Sequence, residues 1–362
     1  MSSARTLERL QGALDALVAE GAARAARCLR LPGNVPPWTD SGLQLRRGDR
    51  VTWLAEGRIV LPAGLPGPGH ATWHLWHRIT PDGQAHKAGR DTHSFAAARD
   101  GTLEFGLLLG EWKTPEGELA APAEAWTAVG GAIDVAVIHW GESDSAAGLE
   151  RLAKLSEGDA LVLAERARLA DPSVRAPGWS PHWLLGESDS FFRESCDGRP
   201  CMAAHPRDDA SIIRYELDSP VDAGTTLHWR WRVDALPSKL PEDQLFQHDY
   251  LSIAAEFDCG RDLTWYWSSS LPVDTWFTCP IPDWAPRETH FVVRSGEQGL
   301  GEWHGERRLL AADYRTALGG DPGRLVAVWL IAVSLFQHGE GRAWFSDIAV
   351  EHQGRRSEIA TA

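Results

Sequence analysis

The sequence predicts a mainly β protein built as two β-sandwiches, jelly-roll or lectin-like in type, with an N-terminal helix and a helical linker. Three observations predict this class. Short alternating segments rich in β-formers recur between Gly and Pro punctuation, at roughly the 8–12-residue spacing of sandwich folds. The aromatic content is dominated by tryptophan, with 18 Trp against 10 Phe and 4 Tyr, and a flat residue with one N–H donor suits sandwich cores and stacking surfaces alike. The chain has 362 residues, more than one compact core usually needs.

The opening stretch MSSARTLERLQGALDALVAEGAARAARCLRLPG places Leu7, Leu10, Leu14 and Leu17 at helical spacing, so residues 1–30 are expected to form an amphipathic helical segment. Charges interrupt it every few residues, unlike a signal peptide. From 31 to 142 the pattern turns to alternation, through LRLPGNVPPWTDSGLQLRRGDRVTWLAEGRIVLP, THSFAAARDGTLEFGLLLGEW and GGAIDVAVIHWGE. This is the expected first sandwich. Residues 143–176 return to helical spacing, with Leu149, Leu152 and Leu155 and then Leu161, Leu163 and Leu169, before Pro172 and Pro177; they are expected to be a linker. Residues 177–352 hold seven strand-like segments: ASIIRYEL, TTLHWRWRVD, DYLSIAAEFD, DLTWYWSSS, THFVVRS, RLVAVWLIAVSL and GRAWFSDIAVEH. A helix is expected in ERRLLAADYRTALGG, with Leu309, Leu310 and Tyr314 on one face and Gly319 as its stop. Residues 353–362 read as a frayed tail.

The net charge of −14 disfavours nucleic acid and anionic membrane partners, which require clustered cations. The most apolar run, RLVAVWLIAVSLF, is too short to span a bilayer. Five cysteines, Cys28, Cys196, Cys201, Cys259 and Cys279, include no metal-type CxxC pair. With no export signal they are expected to be free thiols in a cytoplasmic protein, Cys196 and Cys201 being placed to close a small loop. The expected partner is a small molecule or a glycan, with the N-terminal helix as a contact for a homo-oligomer.

The segments WTDSGLQLRRGDRVTWLAEGRI and HSFAAARDGTLEFGLLLGEW resemble the galactophilic bacterial lectin family of the PA-I type. That resemblance implies a small β-sandwich holding a sugar through calcium. The family's calcium loop uses an Asp and a pair of Asn, whereas this chain has one Asn, Asn34, and VIHWGESDSAAG in the corresponding region. The fold carries over and the calcium–sugar site does not; Glu142 and Asp144 are the substitute oxygen ligands to consider. The expected cofactor is therefore none. TTLHWRWRVDALP, DLTWYWSSSLP, GEWHGERRLLAADYRTALGGDP and RAWFSDIAV resemble the bacterial family of unknown function 3047. It implies a β-sandwich with a concave face and no transferable activity. His338, in SLFQHGEG, stands where members often carry acidic residues.

Alternation in a strand sends neighbouring side chains to opposite faces. In LHWRWRV, Leu227, Trp229, Trp231 and Val233 form the inward set, and His228, Arg230 and Arg232 the outward one. In the next two strands Leu251, Ile253, Ala255, Phe257, Leu263, Trp265 and Trp267 point inward, and His248, Tyr250, Glu256 and Tyr266 point outward. Three strands would thus share one polar face. A two-domain enzyme of the hydrolase or lyase type is expected from it, working on a small organic or glycosidic molecule by acid–base chemistry. His248 would be acid or base, having a pKa near neutrality. Tyr250 and Glu256 would assist, with Asp249 orienting His248 where QHDY is a loop. Arg230 and Arg232 would clamp charge, with His228, Tyr266, Trp303, His304 and His338 lining the substrate. Glu306 and Arg307 are expected in a loop opening the helix. No metal site is expected, because none of His248, His290, His304 and His338 sits in a strong metal motif. The alternative is a non-catalytic lectin-like binder.

Overall fold

The computed structural model describes residues 4–63 and 67–362. The chain forms two compact units, residues 1–172 and 173–362.

The first unit opens with helix α1 (Ala4–Ala19) and strands β1 (Ala25–Pro32), β2 (Trp38–Leu45) and β3 (Arg50–Val60). A short helix α2 (Ala71–His74) leads into β4 (Leu75–Thr80), β5 (His86–Lys87), β6 (Thr92–Ala96), β7 (Gly101–Leu107) and β8 (Gly130–Gly141). Helices α3 (Ser145–Leu155) and α4 (Ala160–Ala170) close it. Its two sheets run β1-β8-β3-β6 and β2-β7-β4-β5. Between them pack Val51, Trp53, Val135, Val137, Leu103 and Phe105.

The other face of the β1-β8-β3-β6 sheet is also buried. Leu54, Ala136, Ile138 and Trp140 lie beneath Leu10, Leu14 and Leu17 of α1, Leu149 and Leu152 of α3 and Val162 of α4. This corrects three boundaries. The stretch 143–176 is not a linker, because its helices are the second cover of a strand pair that is apolar on both faces. The N-terminal segment 1–30 is not all helix, since β1 begins at Ala25. The first sandwich therefore starts before residue 31. The side chain of Leu7 lies outside the described residues. Glu142 and Asp144 form no oxygen cage: Asp144 accepts the Ala146 N–H at 3.2 Å as the N-cap of α3 and pairs with Arg50 at 3.2 Å.

The second unit contains β9 (Trp179–Pro181), β10 (Phe191–Cys196), β11 (Arg199–Ala204), β12 (Ala210–Pro220), β13 (Thr226–Ala235), β14 (Leu251–Phe257) and β15 (Asp262–Ser268). These are followed by β16 (Trp276–Thr278), β17 (Glu288–Ser295), β18 (Trp303–Leu309), α5 (Leu310–Ala317), β19 (Arg324–Val333), β20 (Arg342–His352) and β21 (Arg355–Glu358). One sheet runs β10-β11-β20-β13-β18 with β21 on β20; the other runs β16-β17-β15-β14-β19-β12-β9. Trp229 and Trp231 of β13 meet Trp265 and Trp267 of β15 across the core, with ring centroids 6.1 and 5.6 Å apart. The inward sets read from alternation are the core.

Trp303–Leu309 is a strand, not a loop, and Glu306 and Arg307 lie within it. Its interior Gly305 and its edge position weaken the alternation that marks other strands. Leu309 ends that strand and is exposed, while Leu310 and Tyr314 carry the buried face of α5. The tail residues 355–358 form β21 on β20 instead of fraying.

Candidate functional site

The expected shared polar face does not exist. β13 pairs with β18 and β20, whereas β14 pairs with β15 and β19. The two groups of strands belong to opposite sheets of the sandwich, so their outward sets point away from each other. Alternation assigns a side chain to a face; it does not assign a strand to a sheet.

The outward set of β13 lies on an ion-paired surface. His228 Nε2 sits 2.8 Å from Thr226 Oγ1 and 3.4 Å from Glu351. Arg232 donates to Asp234 and Asp197 at 2.7 Å each, and Arg230 is half exposed, 3.8 Å from Asp347. Trp303 and Trp344 flank Arg232 in register on β18 and β20. His338 is exposed beyond β19, its Nδ1 2.7 Å from Asp208 Oδ1.

The outward set of β14 and β15 is enclosed. Leu240 and Glu242 bond to Ser268 and Ser269 at its end, and Phe277 of the edge strand β16 packs beside Tyr266 and His290, leaving Tyr250, Ser252, Thr264, Tyr266, His248 and His290 no more than 3% exposed. Asp249 does not orient His248; it accepts the backbone N–H groups of Phe336 and Gln337 at 3.0 and 2.7 Å. Glu256 accepts from Arg214 Nε at 2.9 Å and Trp329 Nε1 at 3.2 Å, so its cation comes from its own sheet rather than from Arg230 or Arg232. An acid–base role for His248 has no open route to a substrate here. Burial drives its pKa down to about 3, and His290 pushes the same way.

Beneath this cover four side chains converge. His248 follows a 3-10 turn at Leu245–Gln247. Cys279 directly follows β16, its N–H bonded to the Glu288 carbonyl at 3.0 Å. Glu288 and His290 stand two apart on β17 and so share a face. One ligand-type atom from each of His248, Cys279, Glu288 and His290 lies within 4.8 Å of every other, and all four residues are buried. His248 Nε2 is 3.5 Å from Cys279 Sγ, and His290 Nε2 is 3.5 Å from Glu288 Oε1. The His248 Nδ1 meets the Glu242 carbonyl oxygen. Glu242 is itself held by Ser268 Oγ at 2.6 Å and the Ser269 N–H at 2.7 Å. Tyr250 donates to Glu288 Oε1 at 3.1 Å. Burial acts to raise the Glu288 pKa, but the contacts with His290, His248 and Cys279 act against it and the net direction is down. Burial, then the Glu288 charge, pushes Cys279 upward. His290 therefore belongs with His248. The overlooked signal was Glu-x-His on one strand face, preceded by Cys279.

His304 lies elsewhere. Alternation on β18 sends Trp303 to the outer sheet surface and His304 to the end of the sandwich, edge-on to Trp267 at 5.4 Å. There a cleft of about 390 Å³ opens to solvent, lined by Val293, Arg294, Ser295, Gln298, Glu302 and His304. Gly299 closes one side with a φ of +86°, where a Cβ would come within 2.8 Å of His304 Nε2. Arg294 Nε donates to Glu306 at 2.6 Å.

The fold defines a mainly β chain of two sandwiches, with an enclosed polar centre and an open polar cleft in the second. Residues 177–349 of that chain match the family described as protein of unknown function (DUF3047). No curated protein matches the chain. Similar solved structures include the N-terminal domain of EclA, a PllA-like lectin, at 15% identity and TM-score 0.23, covering 31% of this chain and 95% of that one. The xyloglucanase domain of NopAA, a type three effector from Sinorhizobium fredii, is 10% identical with TM-score 0.28, covering 49% and 97%. A carbohydrate-binding module of the β-sandwich superfamily is 10% identical with TM-score 0.23, covering 91% and 98%. At these values the likeness transfers neither ligand nor chemistry.

Proposed function

We propose that this chain is a carbohydrate-binding protein and that its ligand occupies the cleft between Val293 and His304. The observation that carries this reading is the cleft itself. Its volume of about 390 Å³ lies in the range of small-molecule sites, which run from ~300 to ~1,000 Å³. Its walls mix donors, on Arg294, Ser295 and Gln298, with an acceptor, on Glu302, beside the apolar Val293 and the His304 ring. A hydroxyl-rich ligand both donates and accepts, so it satisfies such a lining. An anionic ligand suits it less, because Glu306 already neutralises Arg294 and Glu302 adds negative charge.

The hydrolase or lyase reading moves to the same cleft. His304 and Glu302 are the titratable pair there, and they replace His248 and Glu256 in the acid and base roles. The test is an array of neutral and acidic glycans probed with the full chain, then calorimetry on the hits. Glu302→Gln and Gln298→Ala should each weaken binding of a neutral glycan about tenfold, the scale of one charge-assisted or well-placed hydrogen bond. Binding unmoved by both substitutions, or no retained glycan, sinks this reading. Release of reducing ends from a bound glycan, abolished by His304→Ala, would make the protein an enzyme instead.

A further inference from the structure

We propose that His248, Cys279, Glu288 and His290 form a closed, structural zinc centre that fastens the covering segment 236–249 to the β16–β17 edge of the seven-stranded sheet. This inference does not rest on the carbohydrate reading.

The donor set decides the class of ion. Two imidazoles, a thiol and a carboxylate suit zinc, a borderline-soft d¹⁰ cation that takes four such ligands in a tetrahedron. Calcium and magnesium call for cages of oxygen atoms. Bonds of ~2.0–2.3 Å place tetrahedral ligand atoms roughly 3.3–3.8 Å apart. Two neighbouring pairs already stand at 3.5 Å, and since every pair lies within 4.8 Å, none needs to close by more than roughly 1–1.5 Å to reach that spacing, within reach of a side-chain rotation.

The surroundings supply what a metal centre needs beyond its ligands. The Glu242 carbonyl engages His248 Nδ1, which leaves the Nε2 lone pair facing the cluster, the outer contact that fixes tautomer and ring angle in metal-bound histidines. Tyr250 and Thr264 donate to the Glu288 carboxylate at 3.1 and 3.4 Å. Phe277 stacks on the His290 ring at 5.2 Å. Two features then ask for a cation. The Nδ1 of the fully buried His290 has no hydrogen-bond partner, and its Nε2 makes only a loose contact with Glu288 at 3.5 Å, a poorly satisfied state that a purely hydrogen-bonded core avoids. The contacts of the Glu288 carboxylate are a phenol, a hydroxyl, a thiol and imidazoles, none of which carries a fixed positive charge.

All four positions come from the protein, as in structural sites; catalytic zinc keeps one position for water or substrate. The ligands also come from three places in the chain, residue 248 on the covering segment, 279 just after the edge strand β16 and 288–290 on β17. One ion thus ties the covering segment to the β16–β17 edge of the sheet.

The full chain, expressed in zinc-replete medium and purified without chelator or polyhistidine tag, should carry about one zinc per chain by elemental analysis. Cobalt exchanged into it should give tetrahedral d–d bands and a thiolate-to-cobalt charge-transfer band. Cys279→Ser should remove the charge-transfer band, and Cys259→Ser, at an exposed thiol, should keep it. Should Cys279→Ser fail to fold, the wild-type chain still decides. Stripping its metal with a strong chelator should lower Tm by about 10 °C and zinc should restore it. Folded protein without zinc that takes up no cobalt overturns the proposal, and so does a cobalt spectrum independent of Cys279 or a Tm indifferent to stripping.

Discussion

At the scale of single residues, tryptophan does most of its work inside. Trp231 is fully buried, packs against Trp229, Trp267 and Phe345 with ring centroids 5.6–6.0 Å away, and donates Nε1–H to Glu306 at 3.2 Å. Trp231→Ala should cost about 3–5 kcal/mol, the transfer and cavity cost of a large aromatic, read as a shift in the urea midpoint. Trp231→Phe keeps most of the apolar contact and should cost roughly 1–2 kcal/mol. Arg230 is its neighbour in sequence but half exposed on the other face, and Arg230→Ala should stay within about 0.5 kcal/mol. An Arg230 effect well above that would show a buried role absent from this geometry. This contrast was legible in LHWRWRV alone, because period-two alternation is a local property of the strand. The destination of the outward set was not. His248 and Tyr250 look like Arg230 and Arg232 in sequence, yet they face the opposite way, beneath loops whose path no local pattern encodes.

At the scale of elements, the helices at 145–170 show how covering segments escape a linear reading. Their Leu spacing was plain, but their docking surface is made by Leu54, Ala136, Ile138 and Trp140 on strands up to about a hundred residues away. A strand pair apolar on both faces, as in AIDVAVIHW, was the available hint that a second layer exists. Gly148 shows how close the packing is, since a Cβ there would come within 2.3 Å of the Trp140 ring. A fragment of residues 1–172 should therefore unfold cooperatively in urea, whereas 1–142 should bind the dye ANS and aggregate through the uncovered strand face. Equal behaviour of the two fragments would return the helices to the status of linker. The β10–β11 hairpin escaped in a different way. Asp197-Gly198 turns it with φ of +53° and +73°, an Asp-Gly hairpin signal that lay unread between Cys196 and Cys201. The enclosed centre was the least legible of all. His248 and Cys279 are 31 residues apart, and β17 meets β15 in a parallel pairing, which no short-range rule anticipates.

For the molecule as a whole, buried histidines make stability a function of pH. In the first unit His74 and His77 are 2% and 3% exposed. Burial is the main cause of both shifts, lowering His74 from 6.5 to about 4 and His77 well below its ordinary value. His74 Nδ1 lies 2.7 Å from the Leu108 carbonyl oxygen, a contact that partly offsets the shift. A folded pKa below the unfolded one means that the unfolded chain binds more protons between the two values, so stability rises with pH across that window. The contribution is fully present above about pH 6.5 and is lost as pH falls toward 4. Between pH 7 and pH 5, His74 alone should remove about 2 kcal/mol, and His77 acts in the same direction. Glu165, buried yet held low by hydrogen bonds from Arg168, Ser94 and Thr92, adds a further loss below about 4.5, its ordinary value. Pulse proteolysis of the full chain in urea, with fragments assigned to residues 4–172 by mass spectrometry, should show the first unit's midpoint dropping from pH 7 to pH 5. His74→Gln should flatten that slope while lowering stability at pH 7 only modestly, because the amide keeps a donor for Leu108 and does not titrate. A midpoint independent of pH over this range would mean that His74 and His77 keep near-normal pKa values in the folded chain, and that the first unit admits water to them.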